Sequence, residues 1–135
     1  MVVIKGSYAQ NLRCEAIHGP SGTMLVTDAP ADNMGRGESF SPTDLVATAL
    51  GTCIVTTMAI LATRRGIDFS SATFTVEKHM AADPVRRIGR LPVTIRMSAT
   101  ISEENRTLLE RAAHTCPVHK SLHPDVDAPI SFVYE

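Results

Sequence analysis

The stretch that decides the fold reads SPTDLVATALGTCIVTTMAILATRR and runs from residue 41 to residue 65. No charged residue interrupts it between positions 45 and 63. Ser41 can accept a hydrogen bond from unpaired backbone N–H groups, Pro42 suits the first helical position, and Asp44 lies in the first turn. The basic pair Arg64-Arg65, followed by Gly66, suits the negative end of a helix dipole. The stretch therefore predicts one long helix over residues 41–65, with Cys53 in its middle.

An uncharged run of 19 residues is also long enough to cross a membrane. Five of those residues are threonine and one is glycine, so large aliphatic side chains are few for that length. We expect no second span and no charged-then-apolar leader. Because a helix that is apolar on all sides can also form the core of a soluble domain, we interpret the stretch in that way and expect no membrane partner.

Length and composition favour a single globular domain. With 135 residues and 44% hydrophobic content, we expect a substantial core and no extended disorder. A net charge of −1 gives no reason to expect a nucleic acid partner. The three cysteines form no close pair in the sequence, and their odd number argues against a disulfide framework. We therefore expect a reducing, cytoplasmic compartment.

Short segments of alternating hydrophobicity surround the helix and predict an α+β fold, a mostly antiparallel sheet with a long buried central helix and a second, amphipathic helix. The predicted elements, within one domain over residues 1–135, are strands within 1–28, a loop over 29–40, the central helix over 41–65, strands within 67–101, helices within 102–123 and a final strand over 129–135.

The side-chain pattern also predicts which faces are buried. In the second helix, capped by Ser102, we expect Leu109 to point inward and Arg106 and Glu110 to face water. The alternation before that helix places one set of apolar side chains on the inner face of a strand, namely Val93, Ile95, Met97, Ala99 and Ile101. Three arginines are expected in the turn that precedes this strand, namely Arg86, Arg87 and Arg90.

Two of the three cysteines are candidates for chemistry. Cys53 has no charged neighbour along its helix, so a thiolate there needs a cation from elsewhere in the fold, and a packed core cysteine is the alternative. Cys116 directly precedes Pro117 and is expected at the start of a short helix, where N–H donors favour a thiolate. Cys14, on a predicted strand, is interpreted as a small buried residue without chemistry.

Two further groups of residues are candidate sites. The 13 residues from Asp28 to Phe40 lack periodicity, and such a long loop is often functional. This loop carries Arg36 and Glu38, for which a solvated surface pair is the simpler interpretation. A second group could bind zinc or copper, namely His114, Cys116, His119 and His123. Because one short helix cannot easily converge four donors from ten residues, we predict no metal.

Two motifs together resemble the OsmC/Ohr family of thiol-dependent hydroperoxide reductases. The first is SPTDLVATALGTC at residues 41–53, and the second is CPVHKSL at residues 116–122. The family places one cysteine inside a long central helix and another before a proline far down the chain. Strand–helix order, length and both cysteine positions agree, so the resemblance covers essentially the whole chain.

The resemblance implies an intertwined homodimer that reduces organic hydroperoxides, and hydrogen peroxide less well, without a metal or organic cofactor. Cys53 would be the peroxidatic cysteine, oxidised to a sulfenic acid, and Cys116 would resolve it as a disulfide that an external dithiol then reduces. The family also supplies an arginine near the site. Arg36 is the best match, and Arg13 is a weaker one.

One position departs from the family pattern. Better-studied members carry a glutamate after an Asn-Pro before the first cysteine, whereas Thr43 occupies that place here. Glu38 or Asp44 could bind the arginine instead. The departure motivates an alternative function, a non-catalytic protein on the same fold that binds a small apolar ligand.

Overall fold

A computed structural model describes residues 1–135, which form two compact units, residues 1–46 and residues 47–135. The first unit contains three strands, a loop and the start of the long helix. The second contains the rest of that helix, five strands and two further helices. The elements follow the predicted order, and the predicted α+β class is confirmed. The assignment to a single domain stays a prediction.

The first unit is an antiparallel meander of three strands. These are β1 (Ile4–Tyr8), β2 (Arg13–His18) and β3 (Met24–Asp28), with β2 in the middle. Cys14 lies on β2 between Tyr8 and Thr27 of its neighbours. The prediction that Cys14 is buried is wrong, because the side chains of this meander are largely exposed and Cys14 is exposed with them.

The segment from residue 29 to residue 40 is irregular, as predicted, apart from a short 3-10 turn at Ala31–Asn33. Backbone hydrogen bonds close it at its base and within. The N–H of Asp28 donates to the carbonyl of Phe40 at 3.0 Å, and that of Gly35 donates to the carbonyl of Pro30 at 3.0 Å. The loop therefore returns to the end of β3 just before the long helix begins.

The long helix, α1 (Pro42–Arg65), has the predicted bounds. Ser41 Oγ accepts the N–H of Asp44 at 3.1 Å, and the Asp44 carboxylate accepts the N–H of Ser41 at 2.9 Å. This reciprocal pair satisfies backbone donors that a helix start otherwise leaves unpaired. Within the second unit one face of α1 is buried, formed by Ala47, Leu50, Gly51, Ile54, Met58 and Ala62. Another stripe is exposed, formed by Ala49, Thr52, Thr56, Ile60 and Thr63.

Length and composition make α1 the one helix that could cross a membrane, with a mean hydropathy of 2.1 in its most apolar window. One such helix is weak support for a membrane span, because the core helix of a soluble protein meets the same criteria. In this chain 33% of that window is buried. The absence of a membrane partner stays a prediction.

The second unit has a three-stranded sheet made of β4 (Thr73–Val76), β7 (Val93–Met97) and β8 (Ile130–Tyr134), in that order. β4 pairs with β7 in the antiparallel sense, and β8 pairs with β7 in the parallel sense. Two further strands, β5 (His79–Ala81) and β6 (Arg87–Arg90), form a separate antiparallel pair.

The predicted turn around the three arginines is shorter than expected. Arg87 and Arg90 are the first and last residues of β6, so their placement in a turn is wrong, and Arg86 directly precedes the strand. Gly89, which reads as a strand breaker, lies inside β6. A Cβ on Gly89 would lie 2.9 Å from the Cβ of Ala81, so glycine permits this close strand pairing.

The core of the second unit includes the inner face of β7. Val93, Ile95 and Met97 are buried there, as the alternation predicts. Ala99 is exposed instead, because the strand ends at Met97 and the chain turns before helix α2 (Glu103–Ala113). The predicted cap of α2 is confirmed, since the N–H of Asn105 donates to Ser102 Oγ at 3.3 Å.

Two charged residues of α2 were predicted to face water, but both are half-buried. The Arg106 guanidinium lies 4.0 Å from the centroid of the Tyr134 ring, and the Tyr134 hydroxyl donates to Glu110 Oε1 at 2.8 Å. Burial and this hydrogen bond raise the pKa of Tyr134 well above its ordinary value. The contacts tie β8 to α2, and the local sequence of α2 carries no sign of them.

Candidate thiol site

The second unit brings Cys53 and Cys116 together. Their side chains lie within hydrogen-bonding distance, although 63 positions separate them in the sequence. Cys116 is fully buried, whereas Cys53 is only half-buried, and both are free thiols. A small oxidant could therefore reach Cys53 from solvent. Cys116 lies close enough to react with the oxidised sulfur of Cys53.

Cys116 sits at the start of a short helix, α3 (Pro117–Ser121), as the sequence predicts. Its Sγ accepts a hydrogen bond from the backbone N–H of His119 at 3.4 Å, and Pro117 occupies the first helical position. The thiol thus takes the place of the serine or aspartate that usually caps a helix. This contact fixes where the sulfur points.

The helix start does not, however, make Cys116 a thiolate. Burial raises the pKa of the Cys116 thiol, and the neighbouring Cys53 raises it further. The backbone N–H groups of His119 and Val118 act in the opposite direction and are outweighed. The sequence-based expectation that the helix favours a thiolate at Cys116 is therefore wrong, because desolvation opposes the charged form more strongly.

His119 has a second contact that the sequence gives no reason to expect. Its ring Nε2 lies 3.0 Å from the carbonyl oxygen of Ala128. Because a carbonyl only accepts, Nε2 carries the hydrogen in this contact. Ala128 lies two residues before β8, so the ring links α3 to the segment that leads into the sheet. The spacing Cys-Pro-Val-His predicts only the other contact, that of the backbone N–H of His119 with the capping side chain.

The histidines near Cys116 are engaged in other contacts. No group of three or more His, Cys, Asp or Glu side chains in the chain is arranged to hold a metal ion. His119 is committed to the carbonyl of Ala128, and His123 Nδ1 accepts the N–H of Asp125 at 3.0 Å. The ring of His114 instead packs edge-on against those of His119 and Phe132.

In the first unit, the structure brings Arg13 and Glu38 together around a buried carboxylate. Arg13 contacts the two carboxylate oxygens of Asp28 through Nη2 at 3.1 Å and Nε at 3.4 Å, and Nη2 also lies 3.2 Å from Glu38 Oε2. Asp28 accepts the backbone N–H of Glu38 at 3.0 Å as well. Sequence patterns did not single out Asp28, because an aspartate at the end of a strand usually faces water.

Arg36 occupies a different setting in the same unit. It is exposed, and the positive charge of its guanidinium helps to lower the pKa of Asp28. Glu38 binds Arg13 rather than Arg36, and the Asp44 carboxylate receives the Ser41 N–H. Thr43, at the position of the family glutamate, has its hydroxyl 3.1 Å from Ser41 Oγ. Of the two candidate arginines, Arg13 is thus held by two carboxylates, and Arg36 is not.

The Arg13–Asp28 pair predicts a pH dependence of stability. The hydrogen bonds from Arg13, then the N–H of Glu38, hold the pKa of Asp28 below its ordinary value of 3.8. A carboxylate with a lowered pKa in the folded state stabilises the fold above the ordinary value, and this contribution is lost as the pH falls through the lower one. We expect Asp28→Asn to lower the urea midpoint at pH 6, and the difference from the wild type to shrink below about pH 4.

Glu15→Gln on the exposed face of β2 is the control for this experiment, because its carboxylate is solvated in this unit. Its midpoint should follow that of the wild type at every pH. If the Asp28→Asn difference were the same at pH 6 and at pH 3, the charge of Asp28 would not be what stabilises the loop.

Comparisons with known proteins agree on the family. The sequence pattern of the OsmC-like protein family matches residues 35–130. Among solved structures, a provisionally described osmotic stress induced and detoxification response protein of Psychrobacter arcticus is 41% identical, with a TM-score of 0.91, over 98% of this chain and 96% of that chain. No curated protein matches the sequence significantly.

More distant structures share the fold. The organic hydroperoxide resistance protein OsmC of Legionella pneumophila is 18% identical, with a TM-score of 0.79, over 98% of this chain and 96% of that chain. The organic hydroperoxide resistance protein OhrB of Bacillus subtilis is 16% identical, with a TM-score of 0.68, over 98% and 97%. The family match over most of the sequence and the 41% identical structure lead to one conclusion: the chain belongs to the OsmC-like family.

Proposed function

We propose that this protein is a cysteine-based peroxidase that reduces organic hydroperoxides, and hydrogen peroxide less well. The observation that carries the proposal is the pairing of a half-buried Cys53 with a fully buried Cys116 at hydrogen-bonding distance. The names of the Legionella and Bacillus structures, both hydroperoxide resistance proteins, support the same class of substrate.

The first step takes place at Cys53. Its thiolate attacks one oxygen of the hydroperoxide, the O–O bond breaks, and the departing alkoxide takes a proton to leave as an alcohol. Cys53 becomes a sulfenic acid, oxidised by two electrons, while the peroxide is reduced by two. The half-buried position favours Cys53 for this role, because the buried Cys116 offers a peroxide no approach from solvent.

The second step takes place between the two sulfurs. The Cys116 sulfur attacks the Cys53 sulfur, the S–O bond breaks, and the hydroxide leaves as water with the proton that Cys116 gives up. The raised pKa of Cys116 suits this order of events, since the thiol form reacts poorly with peroxide. An external dithiol then reduces the disulfide by two exchange reactions and is itself oxidised.

We propose Arg36 as the cation that supports the reaction at Cys53. An arginine keeps its charge at any physiological pH, and its planar fork can hold a thiolate and a peroxide oxygen together. Arg36 is exposed and not hydrogen-bonded to the carboxylates around it, whereas Arg13 is engaged with Asp28 and Glu38. In this proposal Glu38 acts through Arg13, by holding the base of the loop that carries Arg36.

We also propose that the protein acts as an intertwined homodimer in the cytoplasm. A soluble monomer rarely exposes a large apolar surface, and such surfaces often mark interfaces. An open groove of about 300 Å³ runs along the exposed stripe of α1, lined by Thr56, Ala59, Ile60, Thr63 and Arg64. Large apolar residues of the first unit are exposed too, among them Ile4, Tyr8, Ile17, Met24 and Leu25. A second copy would cover such surfaces.

Mass spectrometry of the reduced protein after one equivalent of cumene hydroperoxide tests the proposed chemistry. We expect the wild type to lose two hydrogens and to yield a linked peptide pair containing Cys53 and Cys116. In Cys116→Ser, the sulfenic acid on Cys53 should persist and react with dimedone.

Cys14→Ser is the matched control, because Cys14 is the most exposed thiol and should play no part. If all thiols of the wild type stay reduced after minutes of exposure, the peroxidase proposal fails. The protein would then be better explained as a binding protein for a small apolar ligand, and Thr43 would be the first residue to examine.

A further inference from the structure

Cys116 is fully buried, and its placement also depends on the short helix that it caps. Helix α3 has five residues, and none of them is buried. Helices this short are marginal on their own, so contacts outside the helix must hold α3 in place. The ring of His119 makes two such contacts: Nε2 donates to the carbonyl of Ala128 at 3.0 Å, and the ring packs edge-on against that of His114. The backbone N–H of His119 also links the first turn of α3 to Cys116 Sγ at the cap.

Disulfide formation makes a strict demand on this placement. In a disulfide the two sulfurs are about 2.05 Å apart, so two thiols in hydrogen-bond contact must approach further and line up with the S–S axis. If the backbone of Cys116 is fixed, a rotation of its side chain can provide this approach. If α3 drifts, the two sulfurs meet less often in a reactive geometry.

We propose that the ring of His119 is a positioning residue for closure of the Cys53–Cys116 disulfide, a role that rests on the proposed function of these two thiols. The ring acts through Cys116: its hydrogen bond to Ala128 fixes α3, and α3 fixes the sulfur. The ring contacts the carbonyl of Ala128 and the ring of His114, so we expect its replacement to leave oxidation of Cys53 unchanged. Nε2 carries its hydrogen whether the ring is neutral or charged, so the contact with Ala128 persists in both states.

The experiment measures closure without peroxide. In a Cys14→Ser background, dithiodipyridine first converts Cys53 to a mixed disulfide and releases one coloured thiopyridone. The Cys116 thiolate then attacks the Cys53 sulfur, which forms the Cys53–Cys116 bond and expels the second thiopyridone. The first phase depends on the reagent concentration, and the second does not. The two rates therefore report attack at Cys53 and closure by Cys116 separately.

We expect His119→Leu to slow the second phase about three- to tenfold, which is the loss that corresponds to one ordinary hydrogen bond, and to leave the first phase unchanged. His119→Gln keeps an amide donor near the position of Nε2 and should restore most of the rate. The matched control is His123→Ala, a histidine of the same segment that is exposed and whose ring bonds Asp125. An unchanged first phase also shows that the variants are folded around Cys53.

Three results would overturn the inference: closure in His119→Leu at the wild-type rate, closure in His119→Gln as slow as in His119→Leu, or no second phase in the wild type. Because no peroxide enters the assay, its outcome is separate from that of the proposed function. A protein that closes normally but ignores cumene hydroperoxide would contradict the peroxidase and leave the role of His119 standing.

Discussion

Replacing Cys53 by serine is expected to lower the rate of cumene hydroperoxide reduction at least about a thousandfold. The serine hydroxyl has nearly the shape of the thiol, so the helix and its packing should be retained. It is not ionised at neutral pH, however, and it cannot form the sulfenic acid on which the second step depends. The measurement is the steady-state consumption of hydroperoxide with an excess of dithiothreitol, corrected for the direct reaction of the dithiol.

The other two cysteines make this result specific. Cys14→Ser should keep the wild-type rate, because Cys14 lies exposed on β2 of the first unit. In Cys116→Ser the hydroperoxide should still oxidise Cys53 once. Further turnover should then depend on direct reduction of the sulfenic acid by the dithiol. A Cys53→Ser variant within tenfold of the wild type would contradict the assignment of Cys53 as the attacking thiol.

The bounds of α1 could be predicted because they are encoded locally. Ser41 and Asp44 cap each other across the first turn, and the basic pair at residues 64 and 65 occupies the last turn. The inner face of β7 was likewise predictable, because alternation over a few residues suffices to decide it. The error at Ala99 arose because the same alternation continues past the point where the strand ends.

Contacts between distant parts of the sequence could not be predicted from the residues alone. Nothing local indicates that β8 pairs with β7 in the parallel sense, or that Tyr134 of β8 covers Arg106 and Glu110. The same holds for the buried Asp28, whose partner Arg13 lies opposite it at the open end of the β2–β3 hairpin. Each of these contacts is decided by packing, which outweighs local preference.

Cys116 has one property that its local sequence predicts and another that depends on the rest of the fold. The spacing around Cys116 predicted a short helix and an N–H donor to the sulfur, and both are present. The sign of its pKa shift was predicted wrongly, because burial and the proximity of Cys53 come from the rest of the fold. That Cys53 and Cys116 meet was implied by the family resemblance and not by composition or spacing.

Replacing Gly51 by valine is expected to lower the free energy of unfolding by about 3 kcal/mol, which corresponds to a decrease in Tm of about 10 °C. Gly51 is on the buried face of α1, where the helix lies very close to β4. A Cβ there would be 2.5 Å from two carbons of the Phe74 ring and 2.8 Å from Cγ2 of Val76. Valine would force these side chains, or the helix itself, to move.

The matched control is Thr52→Val. Thr52 directly follows Gly51 and lies on the exposed stripe of α1. It places the same β-branched side chain in the same helix turn, and threonine and valine have nearly equal helix propensities. Because valine has a higher helix propensity than glycine, propensity cannot account for a destabilised Gly51→Val. Thermal unfolding followed by circular dichroism should place Thr52→Val within about 2 °C of the wild type. If the two valine variants unfold at the same temperature, the helix can move away from β4 without cost, and the close approach at Gly51 does not fix its position. If only Gly51→Val is destabilised, glycine is required where α1 meets the sheet, one turn or less from the cysteine that the proposed reaction uses.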